Sequence, residues 1–249
     1  MSTVAVAGAT GHSTLSPAAR RARTDRWFFS GTALVQVILI VWGFTPSYFM
    51  RSTSGLAPLS GLLQVHGALF TTWLVLLLVQ TSLVAAKRTP VHRRLGIGGG
   101  VLAAAMVVVG YVAAVDAARR GSTLPGMTPL AFLIIPILGI LLFGVLVGAA
   151  LMLRRRPDYH KRAMLLATTG GLMGAGVARI PALAPLGPIG FLGVPDLFAV
   201  ALAGYDLVTL GRIHPVTLAG TALIVAVQAI QLTSANSGIW LAIASWLAA

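Results

Sequence analysis

Five histidines and five aspartates carry nearly all the acid–base and metal-ligating capacity of this 249-residue chain, which has no cysteine and no glutamate. Three of the histidines recur in one setting. Val91-His92-Arg93-Arg94, Tyr159-His160-Lys161-Arg162 and Ile213-His214-Pro215 each open an apolar stretch. The proline after His214 fits a first helical turn and puts His214 at or beside the N-cap. Tyr205-Asp206 precedes the end of a neighbouring stretch by about one and a half turns, roughly 8 Å of depth at 1.5 Å per residue. Imidazole and carboxylate together suit Zn, Fe, Cu or Mn, so His92, His160, His214 and Asp206 form a candidate metal set. In the competing reading each histidine caps its helix and touches lipid headgroups. The adjacent Arg93, Arg94 and Arg162 repel a cation and suit an anion at the same helix ends.

His66 belongs elsewhere. It lies about seven residues into its apolar stretch, within Gln64-Val65-His66-Gly67-Ala68, roughly 15–20 Å in depth from the other three. The glycine beside it leaves room for a flat ligand such as haem, which makes His66 a candidate cofactor ligand. A hydrogen bond to Thr71 or Gln80 is the simpler alternative. Arg179, just before Ile180-Pro181, is expected to form a salt bridge with Asp196, with Asp116 and helix-end carbonyls also in reach. A sharper alternative joins Arg179 to His66 in an outward-facing anion or quinone site.

The elements that must position these groups follow from composition. Hydrophobic residues make up 57% of the chain and charged residues only 9%, against roughly a quarter charged in a soluble domain. The apolar residues fall in blocks of about twenty, enough to cross ~30 Å of hydrocarbon. This predicts an all-α polytopic transmembrane bundle and excludes a soluble fold, a disordered chain and a nucleic-acid domain. Without cysteine there is no disulfide, iron–sulfur cluster or covalently attached haem. Without glutamate there is no His-Glu-x-x-His protease helix. The two lysines, Lys87 and Lys161, both lie between apolar blocks, so no retinal Schiff base is expected.

Seven spans are read, at about 27–49, 59–86, 94–116, 129–153, 163–180, 195–211 and 215–232. Placing the N-terminus in the cytoplasm puts fourteen of the eighteen basic residues inside, as the positive-inside rule requires. Residues 1–26 read as a basic flexible tail, 27–232 as the bundle and 233–249 as an apolar interfacial segment too short to cross. In that last segment Trp240 and Trp246 suit an interface or a neighbour. Runs of glycine and alanine, such as Gly98-Gly99-Gly100 and Gly170-Gly171, predict close helix packing.

These motifs, from Gln64-Val65-His66-Gly67 through His92-Arg93-Arg94-Leu95-Gly96 and His160-Lys161-Arg162 to Tyr205-Asp206 and Arg212-Ile213-His214-Pro215, resemble a group of bacterial polytopic membrane proteins with His-Arg helix starts. More distantly the order resembles a domain-of-unknown-function membrane family and the small four-span proteins linked to cytochrome oxidase assembly. The resemblance implies redox or metal-related duties for His66, His92 and His160. The expectation is an accessory protein of a respiratory or photosynthetic system in the bacterial inner membrane. It would bind a metal ion or haem at the cytoplasmic-side histidines and contact lipid and other subunits. The alternatives are a purely structural subunit and a transporter, for which Pro136 could break span four. The acid and paired-histidine spacing of seven-span zinc hydrolases is absent, which weighs against an enzyme.

Overall fold

The computed structural model describes residues 16–124 and 126–249. Every regular element among them is helical. Helix α1 (Pro17–Phe44) starts where Ser16 accepts a hydrogen bond from the Ala19 amide and Pro17 takes the first helical position, a serine–proline start signal. Residues 17–26, expected as tail, are therefore the first turns of α1; residues 1–15 lie outside the described residues. A π-helical turn, Thr45–Phe49, ends α1. Then come α2 (Gly61–Ala85), α3 (Thr89–Arg119), a short α4 (Pro129–Phe132) and α5 (Ile134–Met152). The break at Leu133 places Pro136 in the first turn of α5. There its missing N–H is one of the unpaired ones, and its clash with the carbonyl four residues back falls outside the helix.

Helices α6 (Pro157–Gly171) and α7 (Met173–Val177) follow, then a 3₁₀ turn, α8 (Pro188–Leu210), α9 (Pro215–Ser234) and α10 (Gly238–Ala248). By length and composition six helical stretches can cross a membrane: α1 with its π turn, α2, α3, α4 with α5, α8 and α9. The stretch read as a fifth span is different. It carries charge at its start and breaks at Leu172, so neither α6 nor α7 reaches crossing length.

Helix α6 sits in the interior against α1, α5, α8 and α9. Leu166, Ala167 and Thr168 are fully buried. Small residues allow this packing. A side chain on Gly176 of α7 would stand 2.7 Å from the Ile40 Cα of α1, and one on Gly171 would stand 2.9 Å from the Phe143 Cα of α5. Without a hydrophobic drive between helices in lipid, such backbone contact is what holds them. A polar layer crosses the same region: Gln36 Nε2 donates to Thr169 Oγ1 (2.6 Å), and Trp73 Nε1 donates to Thr168 Oγ1 (3.3 Å).

Helix α10 packs on α3 and α4. Trp240 Nε1 donates to the Leu130 carbonyl (2.8 Å) and Arg119 Nε to the Ala248 carbonyl (3.2 Å). Trp73 is buried, whereas Trp27, Trp42 and Trp246 are exposed on the outside of the bundle.

Candidate functional site

The helix-start pattern brings the three histidines to one end of the bundle. His92 and His160 are the fourth residues of α3 and α6, and His214 is the N-cap of α9, its Nδ1 accepting from the Val216 amide (3.2 Å). Contacts between these ends fix the arrangement. The His92 and His160 rings lie 6.1 Å apart, centre to centre, and nearly perpendicular. Lys161 reaches Asp25 near the start of α1, and Arg162 reaches Asp206 near the end of α8. We call this the basic end.

The two rings are held differently. The Nδ1 of His160 lies 2.8 Å from the Ala150 carbonyl at the end of α5. In the tautomer that donates there, Nε2 keeps a lone pair. The His92 Nδ1 and the Gln80 Oε1 of α2 are buried with no partner. Metal-bound histidines commonly show what His160 shows, one ring nitrogen held by a carbonyl and the other free to ligate. A metal–nitrogen bond of about 2.0–2.1 Å puts two imidazole centres on one ion roughly 6 Å apart, as found. No third histidine or acid completes a metal-holding group among the described residues. Two protein ligands are too few for a zinc-type site. They are the usual axial complement of a haem, whose macrocycle supplies the other donors. The basic surroundings agree, because Arg93, Arg94, Arg154 and Arg155 repel a bare dication and suit carboxylates such as haem propionates.

Asp206 does not join that pair. It is fully buried, and both oxygens are taken. Oδ1 accepts from Arg162 Nε (2.9 Å) and Nη2 (2.5 Å); Oδ2 accepts from Thr217 Oγ1 (2.5 Å) and the His214 amide (3.0 Å). Four donors fill a carboxylate's acceptor sites. The expected four-ligand metal set is thus corrected: His92 and His160 face each other, while Asp206 is the counter-ion of Arg162. His214 touches that pair through its backbone and packs its ring on Tyr159, centres 4.5 Å apart. Its imidazole is held below the usual histidine range, by burial first and by the charge of Arg162 second.

The network extends to residues the sequence pattern passed over. Lys161 Nζ lies 2.7 Å from both Asp25 Oδ2 and Asp158 Oδ1. Tyr205 donates to the other Asp25 oxygen and stacks on Phe28. Arg162 Nη1 donates to the Asp158 carbonyl (2.8 Å). The chain 25–161–158–162–206 therefore ties the ends of α1, α6, α8 and α9 together. Asp25 escaped notice because residues 1–26 were taken as tail. Arg162 looked like one more arginine of a collar, although a deep acid such as Asp206 always calls for a partner.

His66 and Arg179 lie at the opposite end, as their places in the spans imply. His66 stacks on Phe70, ring centres 4.1 Å apart, and its Nδ1 is buried without a partner. The expected bond to Thr71 or Gln80 is not made. The Arg179 salt bridge is corrected too. Arg179 Nη1 donates to the Ala175 carbonyl (2.6 Å) and its guanidinium lies 4.5 Å from the Phe44 ring centre. Asp196 instead accepts from Gln228 Nε2 (2.9 Å), and Asp116 pairs with Arg120. Arg93 takes no carboxylate among the described residues.

Comparison with family models, with curated proteins and with solved structures finds no match.

Proposed function

We propose that this chain is a haem-binding integral membrane protein serving a redox system of the bacterial inner membrane, in which His92 and His160 would hold the haem. One observation carries the reading: two imidazoles with ring centres 6.1 Å apart, His160 held through Nδ1 by the Ala150 carbonyl and His92 with its Nδ1 buried and unpartnered. When bound, haem supplies one-electron chemistry. The chain's own part is to fix the His160 ring through the Ala150 carbonyl, to bind the propionates with surface arginines, and to keep the site against the bilayer. In the same reading the segment at about 163–180 completes a seventh crossing inside the other helices. The basic end faces the cytoplasm, in keeping with the positive-inside rule.

The test is the visible spectrum of full-length protein purified in mild detergent from haem-replete cells, with haem content measured chemically. The expected result is a reduced-minus-oxidised haem spectrum that H92A and H160A each abolish and H66A preserves. A preparation that stays colourless after haem supplementation overturns the reading. So does full haem content in both H92A and H160A.

A further inference from the structure

At the end opposite the histidine pair, we propose that His66, Ser47 and Arg179 form a binding site for an oxyanion, a phosphate or carboxylate group. The π-helical end of α1 organises it. Phe44 and Tyr48 are four residues apart on that end. Arg179 covers the Phe44 ring, and Tyr48 packs directly over Gly67, the neighbour of His66. Arg179, just after α7, and His66 of α2 thus approach the same stretch of α1, one through Phe44 and the other through Tyr48.

Three features there point to a ligand. The exposed guanidinium has no carboxylate among the described residues: Asp196 and Asp116 are engaged elsewhere, and Arg179 meets one carbonyl and one ring. Its remaining N–H groups are donors with fixed geometry that matches oxyanions. His66 Nδ1 is buried and unpaired, and so is the Ser47 hydroxyl one residue before Tyr48. Buried polar atoms without partners are rare in folded proteins, and each calls for an explanation. An exposed guanidinium and two unpaired polar atoms approach one stretch of α1, with no carboxylate paired to the arginine among the described residues. An oxyanion satisfies all three.

The source is either a soluble anion or the phosphate of a lipid headgroup, and two arms of one experiment separate them. In the first, full-length protein in neutral detergent is melted against rising inorganic phosphate and succinate, with chloride at matched ionic strength. A ligand binding only the folded state raises Tm in a saturable way. In the second, protein from mixed phosphatidylglycerol–phosphatidylcholine vesicles is examined by native mass spectrometry for retained anionic lipid. The proposal expects saturable stabilisation or lipid retention in the wild type, weakened at least tenfold in R179Q and in H66A. Stabilisation by soluble anions assigns the first source, and retained phosphatidylglycerol the second. Absence of both overturns the proposal, as does wild-type behaviour in H66A. H66A also keeps the test alive if R179Q does not fold. H92A and H160A leave this site untouched, so its failure and that of the haem reading are read separately.

Discussion

The two ends of the bundle treat an arginine in opposite ways, enclosing one and exposing the other. At the basic end Arg162 is enclosed with Asp206, whose oxygens are filled by four donors. At the other end Arg179 meets a carbonyl and an aromatic ring, and the His66 Nδ1 and Ser47 hydroxyl of that end go unpaired. A charge compensated within the chain fixes helices to each other. A charge left open leaves affinity for something outside the chain. The histidines divide the same way: His214 is absorbed into the Asp206 network, whereas His66, His92 and His160 keep a free nitrogen.

The sharpest way to break this comparison is D206A, which leaves Arg162 buried without its counter-ion. The expected loss is about 3–5 kcal/mol, against little change when both partners become apolar, as in R162M/D206L. Unfolding in detergent of both variants beside R179Q measures it. If R179Q proves as damaging as D206A, the ends are not different in kind. Next in size is G176A, whose methyl group meets the α1 backbone at Ile40. A cost of about 1–3 kcal/mol is expected from overpacking, and thermal melts would read it. T169A comes third at about 1 kcal/mol, the usual net worth of one hydrogen bond, because it strips the partner from buried Gln36 Nε2.

The smallest effect is the pH dependence of the basic end. The hydrogen bond from Lys161 holds the Asp158 carboxyl below its usual range. A depressed acid contributes stability above its unfolded value of about 3.9 and loses it as pH falls below that. With half its side chain in contact with solvent, Asp158 is expected to contribute less than about 1 kcal/mol. His214, held neutral by burial, opens a separate window in which stability begins to fall below about pH 6.5. Melts from pH 8 to 3 should show two steps, the upper reduced in H214N and the lower in D158N. A single step retained in both variants would contradict the assignment.

Much of this was legible in the pattern of residues. The blocks of apolar side chains and the prolines at helix starts announced the helices, and three histidines at fixed points of three parallel helices announced one shared end. The boundaries of α1 were missed because charge was read as disorder, although Ser16-Pro17 is a helix start with ordinary chemistry. The break in the fifth stretch was not legible, because glycine and threonine keep it neutral and apolar enough to look continuous past Leu172. Pairings were beyond reach for a different reason. Whether Asp206 faces Arg162 or His160 depends on the rotation of α8 against α6. Helix order and rotation are set by packing contacts such as Gly176 on Ile40, which leave no periodic trace. Arg179 was given to Asp196 on depth alone, which is blind to direction around the bundle.

The placement of the indoles has an optical consequence. Trp73 is sealed in the interior, while Trp27 and Trp42 stand on the outer surface of α1, fifteen residues and so about 22 Å apart along its axis. Emission from the chain is therefore a sum of one shielded source and several exposed ones, two of them at different heights on a single rod. Lipids carrying a heavy-atom quencher at a chosen carbon will dim each exposed indole according to its depth and leave Trp73 bright. The molecule carries its own ruler for how far α1 rises through a bilayer.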